Sequence, residues 1–129
     1  MVNFQLDEMQ EMLRELAHDF AVDEIRPNAE HWDANSQYPK EAIQAAHEMG
    51  LLNLHIPEDY GGPGLGTFEE VLVNEELAWG DPGFATAAYA TSLACAPIIT
   101  GATEEQKQKW LRKVSEDGAL ASYGVTEPG

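Results

Sequence analysis

The residues able to do chemistry in this chain fall into small groups, each tied to a different reaction type. Gly61, Gly62, Gly64 and Gly66 crowd into one loop, the kind whose backbone N–H groups can cradle phosphate. Gly61 and Gly66 have the separation of a phosphate-binding loop, but Thr67 stands where that loop needs lysine. No glycine follows Gly64 at the three-residue step of a dinucleotide fingerprint, so the loop reads as a structural turn. His18, His31, His47 and His55 show no metal-ligand spacing, and His47-Glu48 lacks a second histidine four residues after the first. They read as surface or interhelical histidines, and no metal is expected. Glu75 and Glu76 are adjacent carboxylates, but neighbours one apart on a helix point in different directions. Acid–base work needs two groups converging on one substrate, so solvated or capping roles are expected. Cys95 sits among small apolar residues without a nearby basic partner, which predicts a packed, unreactive thiol. Two segments remain suited to touching a ligand: the small-residue stretch Phe84 to Leu93, and Tyr123 to Thr126.

These groups must be carried by helices. Met9, Met12, Leu13, Leu16, Phe20 and Ile25 form one apolar stripe that predicts a helix from about Asp7 to Ile25. Asp7 and Gln10 cap it as a capping box, and Pro27 stops or bends it. Trp32 is expected to anchor the short polar piece that follows. Pro39 opens a second helix with Ile43, Ala46 and Met49 on its buried side and Gly50 just past its end. Leu51 to Ile56 reads as extended. Thr67 and Glu70 read as the capping box of a third helix ending near Gly80. Asp81-Pro82 opens a fourth, about Gly83 to Ala96, after which Pro97 and Gly101 punctuate the chain. Thr103 and Gln106 cap a last helix closed by Gly118. Beyond it, Tyr123, Val125 and Thr126 favour a strand, and Glu127-Pro128-Gly129 a turn. A strand with no partner leaves N–H and C=O groups unpaired, so a β-rich region is expected to follow.

Composition bounds what such a helical unit can do. The 129 residues suffice for one hydrophobic core, and 43% hydrophobic content is that of a globular chain. Acidic residues number 23 against 7 basic ones, a net charge of −16 that repels phosphate backbones and anionic lipid heads. Neither nucleic-acid nor membrane binding is expected, and no apolar run approaches the roughly 18 residues of a membrane span. A single cysteine excludes an internal disulfide and suggests a reducing compartment, and the N-terminus lacks the basic and apolar regions of a secretory signal.

The segments Met49-Gly50-Leu51-Leu52-Asn53-Leu54-His55-Ile56-Pro57-Glu58, Tyr60-Gly61-Gly62, Gly64-Leu65-Gly66, Glu75-Glu76-Leu77-Ala78 and Tyr123-Gly124-Val125-Thr126-Glu127-Pro128-Gly129, at these spacings, resemble the acyl-CoA dehydrogenases. The short- and medium-chain members look most similar. The resemblance implies an all-α N-terminal domain over residues 1–118, with 119–129 as the first strand and turn of a truncated middle β-domain. It implies an FAD-dependent enzyme that dehydrogenates an acyl-CoA thioester, one glutamate taking the α-proton while the β-hydrogen leaves as hydride to the flavin. Electrons then pass to an electron-transferring flavoprotein. Carried over by position, Tyr123, Val125 and Thr126 contact the isoalloxazine ring, and the Thr126 hydroxyl and N–H suit its N1/O2 edge. Tyr89, Ala90 and Leu93 match the helix face lining the acyl tunnel. Tyr89 departs from the smaller or acidic residue common there, and pointing inward it shortens the tunnel toward short or medium acyl chains. The family's catalytic glutamate lies in a C-terminal region, so no acidic residue here inherits that role and the chain alone is expected to be inactive. The family further implies a homotetrameric parent, in the cytoplasm of a bacterium or archaeon or in the mitochondrial matrix of a eukaryote. Two rival readings are a stand-alone helical binding or assembly module, which the unpartnered strand argues against, and an acyl-CoA oxidase using the same scaffold with O₂.

Overall fold

The chain folds as helices alone: a computed structural model describes residues 5–128 and contains no strand among them. The elements are α1 (Glu8–Phe20), a π-helical turn (Ala21–Ile25), α2 (Arg26–Ala34), α3 (Lys40–Glu48), a 3₁₀ turn (Glu58–Tyr60), α4 (Thr67–Gly80), α5 (Pro82–Gly101) and α6 (Glu104–Asp117).

Local chemistry sets most helix ends. Asp7 and Gln10 cap α1 reciprocally, with Gln10 N–H donating to the Asp7 carboxylate at 2.8 Å and Asp7 N–H donating to the Gln10 amide oxygen at 3.1 Å. Asp81 caps α5 through a 2.6 Å bond from Phe84 N–H. Thr103 and Gln106 cap α6 in the same reciprocal way as the box on α1. Gly118 ends α6 in the left-handed region at φ 64°, which a side chain would resist.

Two prolines, Pro27 expected to stop or bend its helix and Pro97 to follow one, are both carried within helical runs. Before Pro27 the chain widens into the π turn, where Arg26 N–H reaches back five residues to Ala21 C=O. Pro27 then sits in the first turn of α2, where its missing N–H costs little. The helical run therefore continues to Ala34, and Trp32 stacks on Phe84 with ring centres 5.8 Å apart. Pro97 lies within α5 on its exposed side, so the helix runs on to Gly101 rather than ending near Ala96. At 20 residues α5 is long and apolar enough, by length and composition, to cross a membrane, contrary to the expectation that no such run exists. Its alanines, threonines and glycines hide that length from a search for bulky residues. In this fold it is a core helix, with Phe84, Ala88, Ser92 and Cys95 buried.

The expected extended piece over Leu51 to Ile56 winds instead, with Asn53 left-handed at φ 58°. Leu51, Leu54 and Ile56 are all buried, a spacing that a two-residue alternation cannot supply. Backbone bonds from Leu65 N–H to Leu54 C=O and from Gly64 N–H to Ile56 C=O fold the glycine loop back over it. A Cβ on Gly62 would lie 2.1 Å from the Ile56 carbonyl oxygen, so this glycine serves close backbone packing. The main core joins Phe20, Ile25, Ile43, Leu54, Leu77 and Phe84, and a second cluster of Ile56, Tyr60, Cys95, Leu111 and Val114 pins α6 to α5.

Residues 119–128 carry no regular secondary structure. The strand expected over Ala119 to Thr126 is not formed within this chain, where it has nothing to pair with. Gly129, the end of the expected turn, and the opening residues Met1 to Phe4 lie outside the described residues.

Candidate functional site

The helix α4 begins one residue earlier than its composition suggests, and that shift creates the most distinctive side-chain cluster in the fold. Gly66, not Thr67, is the N-cap, and its N–H donates to the Glu69 carboxylate at 3.0 Å. Gln10 of α1 donates to the same carboxylate at 2.7 Å, and these hydrogen bonds, the one from Gln10 foremost, hold Glu69 below the usual carboxylate range. Glu70 is thereby released from the capping role expected of it and points into the protein.

Glu70 is 7% exposed. Its Oε1 takes two partners: His55 Nδ1 from the loop before α4, at 2.8 Å, and the Ser92 hydroxyl of α5, which donates at 2.8 Å. Ser92 Oγ is also 3.4 Å from His55 Nδ1, so the three groups converge. Burial pushes the Glu70 carboxyl up, but the bonds from His55 and Ser92 and the charge interaction with His55 outweigh it and hold it below its ordinary value. Glu70 is an anion fixed at the junction of α4 and α5, and its charge reaches its neighbours. Burial first and that charge second raise the Tyr89 hydroxyl above its usual range, and push the Cys95 thiol up to about 11. Cys95 is fully buried, as a packed and unreactive thiol should be.

Glu70 also lines a groove of about 600 Å³ between α4 and α5. Val71, Ala78, Pro82, Ala85 and Tyr89 supply its apolar surface, and Thr67, Asn74, Glu75 and Thr86 its polar rim. Ala78 of α4 and Ala85 of α5 present only small side chains to the groove, which leaves its space unfilled. Of the residues matched to an acyl tunnel, Tyr89 lines this groove; Ala90 and Leu93 lie exposed on the same helix but outside it. Tyr89, Leu93 and Val71 are 40%, 46% and 54% exposed, so the groove opens onto an uncovered apolar face.

Tyr123, Val125 and Thr126 do not join that groove. They are exposed in the segment after α6, which is tied to α5 through Thr91: Ala121 N–H donates to the Thr91 hydroxyl at 3.2 Å. Among the described residues no hydrogen bond involves 122–128, so the backbone and the Thr126 hydroxyl are open to a partner.

The remaining candidates have structural explanations. Glu76 accepts from His18 at 2.8 Å, and the His18 ring lies 4.7 Å from that of Trp79, while Glu75 stays exposed at the groove rim. His31 pairs with Gln37 and Asn35. Among the described residues no group of three or more His, Cys, Asp or Glu is placed to hold a metal ion.

The described residues thus form a helical domain with an open apolar groove between α4 and α5 and an exposed tail beyond α6. The family model for the acyl-CoA dehydrogenase N-terminal domain matches residues 7–117. This chain belongs to that family. It is 41% identical, over 99% of its length, to the probable medium-chain specific acyl-CoA dehydrogenase 2, mitochondrial, of Caenorhabditis briggsae, covering 31% of that protein. Among solved structures it superposes on butyryl-CoA dehydrogenase from Megasphaera elsdenii with a TM-score of 0.88 at 35% identity, covering 98% of this chain and 34% of that one. It superposes equally, at 0.88 and 30% identity, on an acyl-CoA dehydrogenase from Bacillus anthracis complexed with FAD, covering 99% of this chain and 22% of that one. The chain thus spans about a third or less of the relatives it matches.

Proposed function

We propose that this chain serves as the N-terminal helical domain of a flavin-dependent acyl-CoA dehydrogenase, its α4–α5 groove forming one wall of the acyl site. The observation carrying this reading is the open apolar groove lined in part by Tyr89, on a chain whose relatives include named acyl-CoA dehydrogenases. Tyr89, Ala90 and Leu93 line the acyl chain's path once the uncovered face is closed by the rest of the protein. Tyr89 occupies space that an acyl chain would otherwise use, which favours short to medium chains.

The tail residues fit a flavin. Tyr123 offers an exposed ring, Val125 an exposed apolar contact, and Thr126 an exposed hydroxyl and N–H able to donate to a ring edge that gains negative charge. When bound, FAD supplies the hydride acceptor for the thioester's β-hydrogen. The α-proton is removed by a carboxylate elsewhere in the protein, because Glu70, the acid buried beside the groove, is held ionised by two partners and made less basic by them. An electron-transferring flavoprotein as acceptor and a homotetrameric assembly complete the reading, in a bacterial cytoplasm or a mitochondrial matrix.

The test is made on the native protein. Its intact mass and visible spectrum should show a product about three times this length with bound flavin, and anaerobic butyryl- or hexanoyl-CoA should bleach the flavin absorbance. A product ending at residue 129 without flavin would overturn the reading and favour a non-catalytic binding module. Faster turnover of a long-chain thioester would overturn the chain-length assignment, and rapid reoxidation in air would mark an oxidase.

A further inference from the structure

The mechanism leaves one buried ionised group unused. Glu70 reaches the groove with only half of its carboxylate engaged: His55 and Ser92 both bond Oε1, and Oε2 has no hydrogen bond among the described residues. The groove lining adds a second carboxylate, Glu75, and no lysine, arginine or histidine. Thr86 commits its hydroxyl hydrogen to the Pro82 carbonyl, and one N–H of the Asn74 amide goes to the Glu70 carbonyl, so the polar rim adds neutral groups and no positive charge. A negative group placed there meets two carboxylates and finds no cation. Like charges brought together in a partly desolvated site are costly, and such repulsion is a standard way for a site to reject a near-identical ligand.

We infer that Glu70 is a specificity-determining residue, which makes the α4–α5 groove exclude acyl chains ending in a carboxylate while admitting uncharged ones of the same length. The inference rests on the acyl-site reading above and adds the sign of the discrimination and the residue responsible. His55 and Ser92 act as positioning residues: by holding Oε1 they fix the carboxylate at the wall and keep it ionised. Neutral substrates lose little, since the apolar faces of Val71, Ala78, Ala85 and Tyr89 remain available to a hydrocarbon chain.

The experiment compares equilibrium binding of two thioethers to the native flavin-loaded protein, S-hexyl-CoA and S-(5-carboxypentyl)-CoA. Neither carries the acidic α-proton of a thioester, so neither is turned over, and their shared CoA moiety cancels in the comparison. The unmodified protein should bind the neutral thioether at least fivefold more tightly. In Glu70→Gln, which keeps the side-chain shape and a hydrogen-bonding oxygen, that ratio should fall to less than half through tighter binding of the carboxylate ligand. A ratio under fivefold in the unmodified protein overturns the inference and requires no variant to fold. A ratio unchanged in a folded Glu70→Gln protein overturns the assignment to Glu70. Binding of neither thioether would instead sink the acyl-site reading itself, and this inference with it.

Discussion

Replacing Glu70 by alanine should destabilise this chain far more than removing an ordinary helix-face acid. Glu70 Oε1 accepts from Ser92 at 2.8 Å and from His55 Nδ1 at 2.8 Å, with Glu70 and Ser92 both under 10% exposed. Hydrogen bonds to a charged group contribute about 1.5–3 kcal/mol each, and a buried donor left without a partner costs about 1–3 kcal/mol. The Ser92 hydroxyl can fall back on His55 Nδ1 at 3.4 Å, and His55 is partly solvated, so the sum is reduced. An expected loss of about 2–4 kcal/mol follows. Ser92→Ala should cost less, and the two together less than the sum, with a coupling of about 1 kcal/mol in a double-mutant cycle. Urea unfolding followed by far-ultraviolet circular dichroism and tryptophan fluorescence gives the numbers. The same data taken against pH test the charge. Because the folded carboxyl titrates below its ordinary value of 4.5, its stabilisation is complete above that value and is lost as pH falls through the folded one. Glu70→Gln should therefore flatten the acid limb of the stability curve and leave the neutral-to-basic part parallel. A Glu70→Ala loss under about 0.5 kcal/mol, the range of an ordinary surface substitution, would refute the claim that this network holds α4, α5 and the His55 loop together.

Other expectations are simpler. Phe84→Ala removes a ring that is 1% exposed and packed on both Trp32 and Phe20, and should cost about 3–5 kcal/mol in the same unfolding assay. Gly62→Ala should lower the melting temperature sharply, since its Cβ meets the Ile56 carbonyl, whereas Gly101→Ala, with nothing within 4 Å, should raise or leave it. Cys95, with its thiol pushed up to about 11 and no exposure, should react with a thiol reagent slowly in native buffer and fast in denaturant. The 129-residue chain by itself should self-associate through the face bearing Val71, Tyr89 and Leu93, and sedimentation showing only monomer at high concentration would count against that.

What could be read in advance was whatever the chain decides within a few residues. Asp7, Asp81, Thr103 and Gly118 end their helices as their types dictate, because each N-cap side chain bonds backbone three residues on and Gly118 turns left-handed just past α6. Those choices need no tertiary context. Pro27 reads as either a stop or a bend, and the helix end expected before Pro97 is wrong, because a proline's cost depends on whether neighbouring turns can widen and whether its helix face is open. Glu70 deceived for a related reason. Thr67-Phe68-Glu69-Glu70 offers two acids, either able to serve as the third residue of a capping box, and Gln10, far away in sequence, helps secure Glu69 in that place. His55 and Ser92 lie 15 and 22 residues from Glu70, with nothing in their spacing to join them. The groove itself depends on how α4 and α5 pack, a long-range property; Tyr89 lines it, while Ala90 and Leu93 lie exposed on the same helix beside it.

The π turn at Ala21–Ile25 has a consequence for how this segment tolerates changes of length. A single π turn amounts to one extra residue carried in an otherwise α-helical run, so the helices on either side keep their faces in phase. Deleting one residue there would leave Ala17 and Trp32 still directed at the core. It would also restore the tight spacing in which the Pro27 ring meets the carbonyl four residues before it. The shortened chain should therefore fold well only when Pro27 is replaced in the same step, making the extra residue and the proline a pair that can be gained or lost together but not separately.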